Sequence, residues 1–198
     1  MFDTSKKALA FALNHSRDST GQPLMLKYAN SLSEKSAGVT TKNFDAERLN
    51  REDSIILSGM ILSHLATLPP YQQAAMIATA ARRTYPCACR QPCCSGFKPN
   101  KDWVDAVKQL CEHIRHTMDA LHHNSGKKRI HTNPQLRRML VEKHFGQHYV
   151  LADLAEQFQI TEATVINHRK PITLMLTNAQ KDGQSALDEA LTRAGIVG

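Results

Sequence analysis

Between positions 100 and 122 the apolar residues step by three and four: Trp103, Val104, Val107, Leu110, Cys111, Ile114, Met118 and Leu121. That period places them on one face of a long amphipathic helix, and such a face must be buried against other helices. Asn100 stands at its start, where the side chain can accept from an unpaired backbone N–H. Helical spacing recurs upstream in Ile55, Ile56, Gly59, Met60, Ile61, Leu62 and Leu65, in a helix that begins near Asp53 and is ended by Pro69 and Pro70. Proline suits the first turn of a helix, because its missing N–H would lack a partner there anyway. A helix is therefore expected over 70–83, burying Ala74, Met76, Ile77 and Ala80 and forming a helical hairpin with the one before it. Further helices are expected over 1–14, 134–145, 150–158, 161–170, 172–179 and 186–193. Asn133 and Pro134 open the one at 134–145, and Gly146 stops it. No alternating pattern of useful strand length occurs, so the expected fold class is all-α.

A chain of 198 residues predicts one or two small domains and can bury a core without disulfides. Three parts are expected: an N-terminal helix and polar linker over 1–48, a helical domain with a cysteine-rich loop over 49–123, and a C-terminal helical domain over 124–198. Residues 15–48 are rich in Ser, Thr, Asn, Lys and Gly, with Pro23 and Gly38 as breakers. They read as a loose arm with a short helix over 24–32. No run approaches the eighteen apolar residues of a membrane span. The apolar stretch at 8–13 follows two lysines but is too short for a leader, and no cleavage-like site follows; it reads as a short docking helix. These features point to a soluble, cytoplasmic protein.

The charge is unevenly spread. Lys and Arg number 25 against 18 for Asp and Glu. Residues 81–145 hold thirteen bases and five acids, an excess of eight, and the rest of the chain is one acid to the negative side. A surface of one sign concentrates a partner of the other, and here the first candidate is nucleic acid, against a solvated face kept for solubility.

Residues 151–170 read LADLAEQFQITEATVINHRK. Two helices that cross steeply need a small residue where they touch, which Ala155 supplies. They also need apolar anchors, and Leu151, Leu154, Phe158, Ile160 and Val165 fall at suitable positions. Thr161 can cap the second helix by accepting from the N–H of Ala163 or Thr164. Glu162, Ala163, Ile166, Asn167 and Lys170 then face outward from the part that would enter a major groove. Asn reads adenine by a bidentate contact, Glu accepts from cytosine N4, and Ala or Ile touches the thymine methyl. Thr164, Arg169 and Lys170 suit phosphate. Lys127, Lys128 and Arg129 in a basic loop, with Arg137 and Arg138, can grip flanking phosphates. An ordinary helical bundle, or a similar motif that binds protein, remains the alternative.

Cys87, Cys89, Cys93 and Cys94 lie within eight residues, and Cys111 follows on the next helix with His113 and His116 nearby. Disulfides are disfavoured in the cytosol, so a dense cluster suggests metal. Structural zinc needs four ligands in a tetrahedron. The expected set is Cys87, Cys89 and one or both of Cys93 and Cys94, completed by Cys111 or His113. An iron–sulfur cluster, a redox switch and unligated thiols are the competing readings.

Residues 134–180 resemble the helix-turn-helix of sigma-factor region four and of LuxR-type regulators. Phe145-Gly146-Gln147-His148-Tyr149 matches the break, and the strings that follow match the two helices. Gln159 stands where glycine is common and His168 where an aliphatic residue is usual, and Pro171 is expected to end or kink the second helix. The order of parts over 50–180 resembles the late-gene transcription regulators of temperate bacteriophages, both the late promoter-activating proteins and the Q-type antiterminators. That resemblance implies binding to double-stranded DNA at a late promoter and contact with host RNA polymerase in the bacterial cytoplasm, with a host accessory protein as a further partner. The long insert over 84–130 departs from the smaller antiterminators and favours a promoter activator. A metal- or redox-responsive repressor is a third reading. Catalysis is not expected: Asp102, Asp105 and Glu112 read as exposed helix positions, and no Gly-rich phosphate loop, Ser-x-x-Lys or His-Glu-x-x-His occurs.

Overall fold

A computed structural model describes residues 2–15, 51–87, 89, 95–125 and 132–198, except the side chains of 15, 51 and 120–125. Residues 16–48 of the expected arm with its short helix, and Cys93, Cys94, Lys127, Lys128 and Arg129, lie outside the described residues. The described chain is mostly helical, as the apolar spacing predicts, with one small two-stranded sheet that it does not.

Helix α1 (Ser5–His15) has Ala8, Leu9, Ala12 and Leu13 buried, a stripe one helical turn apart that forms a single face. It packs on α2 (Arg51–Ala66), which contributes Leu57, Ile61, Leu62 and Leu65. The spacing in α2 locates the helix but misjudges its inner side. Ile55, Ile56 and Met60 are exposed, whereas Ser54 and Ser58 are buried. Ser58 is tolerated because its hydroxyl donates to the Ser54 carbonyl at 2.7 Å.

Pro70 opens α3 (Pro70–Ala80), which stops three residues short of the expected end because Ala81 turns to an extended conformation. Ala74, Ala75, Met76 and Ala78 are buried, and Ile77 and Ala80 are half-buried. Helices α2 and α3 follow each other directly, yet each takes its main partner elsewhere: α2 lies on α1, and α3 on the later helices. Strands β1 (Thr84–Pro86) and β2 (Phe97–Pro99) then pair antiparallel, with Tyr85 opposite Lys98. Asn100 is fully buried and joins this hairpin to α4 (Lys101–Ser125). Its Oδ1 accepts from the Asp102 N–H at 3.0 Å, the expected cap. Its Nδ2 donates to the Arg82 carbonyl at 2.5 Å and the Tyr85 hydroxyl at 3.0 Å.

One core gathers Ala74, Ala75 and Ala78 of α3 with Trp103, Val107, Leu110, Ile114 and Met118 of α4. It continues into α5 (Pro134–His144), α6 (Leu151–Gln157) and the first half of α7 (Glu162–Arg193). Residues on both sides of the expected boundary at 123–124 therefore share it. The second core holds α1 and α2 with Met76, Leu187, Leu191, Ile196 and Val197. The chain ends close together there: the Phe2 N–H donates to the Ile196 carbonyl at 3.1 Å.

Helix α7 belongs to both cores and is 32 residues long, where three separate helices are expected from the sequence. Pro171 lies inside it without ending it, because Ile172 and Leu176 are buried in the first core and Leu187 and Leu191 in the second. Gly183 sits at the close approach of α7 to α3. A Cβ there would lie 3.1 Å from Met76 Cγ and 3.4 Å from Gln72 Cβ. Among the described residues no helix is long and apolar enough to cross a membrane.

Candidate nucleic-acid interface

The Asn133 side chain caps α5 by accepting from the Gln135 N–H at 2.8 Å. The helix stops at Gly146, whose φ of +88° is the left-handed turn that favours glycine. The break that follows is tied down on both sides. Tyr149 donates its hydroxyl to Glu142 at 2.6 Å, and burial together with that bond pushes the phenol up to about 12. The Lys143 ammonium donates to the Tyr149 carbonyl. From the other side, Arg83 Nη1 donates to the Gly146 carbonyl at 3.0 Å and to Gln147 Oε1 at 2.7 Å. The exit of α5 and the entry of α6 are thus held by residues 83, 142 and 143.

Helix α6 is anchored by Leu154 and Ala155, both buried, with Leu151, Phe158 and Ile160 packed against the same core. The turn after it is tight: the Ile160 N–H reaches the Ala155 carbonyl at 3.0 Å, and Gln159 takes φ +53°. A β-carbon is strained in that conformation, so glycine would suit position 159 better. Thr161 then caps α7, accepting from the Thr164 N–H at 3.2 Å and sharing a hydrogen bond with the Thr164 hydroxyl at 2.8 Å. Thr161 and Thr164 therefore spend their hydroxyls on the start of the helix.

Along the first three turns of α7 the inward residues are Val165, His168 and Ile172. Glu162, Ala163, Asn167, Arg169 and Lys170 are exposed, and Thr164 and Ile166 are half-exposed. Ala163, Asn167, Lys170 and Leu174 are spaced four, three and four apart, which makes them one outward stripe. Leu174, 62% exposed, extends this stripe beyond the residues the sequence singles out. Glu162 is the one acid in the 162–181 part of the helix.

His168 occupies the aliphatic position as a buried polar group. Its Nδ1 shares a 2.8 Å hydrogen bond with the Thr132 hydroxyl, and burial lowers its pKa. The Thr132 carbonyl accepts from Arg137 Nη2 at 3.0 Å. Thr132 therefore links α5 to α7 just where the chain arrives from 126–131. This corrects one expectation: Arg137 is 8% exposed and turned inward, so it is not placed to grip phosphate. Arg138 lies at the surface but pairs with the buried Glu142 at 2.8 Å. Thr132 and Arg83 carry no signal in the sequence beyond the odd presence of histidine at 168.

The cysteines are only partly brought together. The Cys87 N–H donates to the Gly96 carbonyl at 2.8 Å, closing the neck of the loop, and Cys89 is exposed just beyond. Cys111 lies about 16 Å further along α4 from Asn100, counting eleven residues at the helical rise. It packs against the first core, where burial pushes its thiol up to about 11. His113, the alternative, stacks on Tyr71 with centroids 4.5 Å apart. Among the described residues no three metal-ligating side chains come together.

No protein-family model, curated protein or solved structure matches the chain.

Proposed function

We propose that the chain is a DNA-binding transcription regulator that activates bacteriophage late genes by binding promoter DNA and host RNA polymerase, with α6, its turn and the first half of α7 acting as a helix-turn-helix. The observation that carries this reading is the stripe of Ala163, Asn167 and Lys170. It is exposed on a helix whose opposite side, Val165, His168 and Ile172, is fixed in the core. A rigid helix that offers an amide, a small apolar side chain and two cations to solvent has the chemistry to read base edges and hold phosphates. Asn167 is the base-reading residue, Arg169 and Lys170 hold phosphate, and Thr161 sets the start of the helix. The promoter and polymerase part rests on the sequence resemblance alone. A structural zinc, held at the neck by Cys87 and Cys89 with ligands from the loop between them and Gly96, would stiffen the hairpin.

The test begins with selection of a preferred duplex from a random library. On that duplex, Asn167→Ala should cost about 1–3 kcal/mol, or roughly 5- to 150-fold in affinity, and relax the preference at one base pair. Equal losses on the selected and a scrambled duplex would remove the base-reading role. Transcription in vitro on a template carrying both the selected site near a promoter and a downstream terminator then separates activation from antitermination.

A further inference from the structure

From Ser54 to Lys101 the sequence contains no aspartate or glutamate, and the stretch ends in Arg82, Arg83, Lys98 and Lys101 around the β1–β2 hairpin. Among the described residues four other cations have local partners: Lys7 pairs with Asp3, Arg115 with Glu112, Arg138 with Glu142 and Arg193 with Glu189. Arg82, Lys98 and Lys101 are exposed, and among the described residues no ion pair engages them. Unpaired cations on a stretch that holds no acid before Asp102 make a local positive field.

The hairpin is also fixed in place. Asn100, fully buried, bonds to both Arg82 and Tyr85, so the base of the hairpin cannot swing relative to α4. Arg83 bonds to Gly146 and Gln147, four to five residues ahead of α6. The basic projection is thereby attached to the α5–α6 break and not to a remote part of the molecule. Its backbone is unsuited to a protein strand, since Pro86 and Pro99 lack an N–H and lie one in each strand. What it presents outward is side chains: Lys98, Phe97 at 60% exposure, and Arg82 and Lys101 at its base.

We propose that this hairpin is a second DNA-contacting surface, in which Arg82, Lys98 and Lys101 bind the phosphates flanking the groove that α7 enters. The inference rests on the DNA-binding reading of α7 and adds a partner surface to it. The contacts are to the backbone, so they raise affinity for every duplex and discriminate among none. Each neutralised phosphate releases counterions, so the slope of log K against log salt steepens by about 0.9 per contact.

The test uses the full chain and the duplex selected above, with a scrambled duplex beside it, at several salt concentrations. The triple variant Arg82→Ser, Lys98→Ser, Lys101→Ser should bind both duplexes more weakly by the same factor and flatten the salt slope by about 2–3. Lys98→Gln alone should flatten it by about 1. All three positions are exposed, so the melting temperature should stay at the wild-type value. Asn167→Ala in the same assay should lower discrimination and leave the slope unchanged. A triple variant that keeps the wild-type slope and affinity overturns the hairpin proposal and leaves the role of α7 standing. The same holds for one that loses only polymerase-dependent transcription. A wild-type chain that binds no duplex at any salt overturns the reading of α7 on which the proposal rests.

Discussion

Replacing Pro171 by alanine probes whether α7 is one helix. Inside a helix a proline removes the hydrogen bond to the carbonyl four residues earlier, here that of Asn167, and its ring crowds that carbonyl. The cost relative to alanine is about 3 kcal/mol. Proline also restricts the unfolded chain, which returns about 0.4–1 kcal/mol of stability, so the net gain on substitution should be about 2 kcal/mol. For a chain of this size that is a rise of roughly 4–8 °C in melting temperature. The ring is half-exposed, so alanine leaves no large cavity. The assay is a thermal melt followed by far-ultraviolet circular dichroism, checked by calorimetry.

The refuting result is specific. Were the chain to break at 170 and restart, as its sequence suggests on local grounds, Pro171 would occupy the first turn of a new helix. Proline there sacrifices no hydrogen bond, and Pro171→Ala would leave the melting temperature unchanged or lower it. A clear rise requires α7 to continue through 171 as one helix. The Asn167 carbonyl freed by proline lies in the proposed reading stripe. Closing that hydrogen bond shifts the backbone beneath the stripe, so Pro171→Ala should weaken discrimination between selected and scrambled duplexes even as stability rises.

Three further outcomes can be measured. Gln159→Gly should raise stability by up to about 1 kcal/mol, since it relieves a side chain held at φ +53° against the entropy glycine adds to the unfolded chain; a fall in the urea midpoint would contradict this. Burial holds His168 below its usual pKa of about 6.5, so the unfolded chain takes up that proton first and the contribution of His168 is present above pH 6.5 and lost as pH falls below it. His168→Gln should lose less stability than the wild type between pH 7.5 and 5.5, and equal losses would sink the assignment. Elemental analysis of the purified protein should find zinc, and Cys89→Ser should release it and lower the melting temperature; a metal-free wild type ends the zinc reading.

The parts of this fold that were legible in the sequence are those set by local chemistry. Asn100, Asn133 and Thr161 cap the helices they precede, through the side-chain bonds their residue types suggest. The 3.6-residue period of α4 places Trp103, Val107, Leu110, Ile114 and Met118 in the core. The parts that were not legible are set by what the chain meets after it folds. Three-residue strands bearing Pro86 and Pro99 show no alternation, and their base is held by the Asn100 bonds to Arg82, Arg83 and Tyr85 and by the Arg83 bonds to the distant Gly146 and Gln147. In α2 nearly every turn is apolar, so the period cannot choose a side, and the buried one includes two serines. Arg137 reads as a surface cation because nothing local announces that Thr132 will turn its carbonyl inward to meet it. The outward set on α7 was legible for the opposite reason. Val165 and Ile172 claim the inner face by hydrophobicity alone, and what they leave outside is Ala163, Asn167 and Lys170, whatever happens at Pro171.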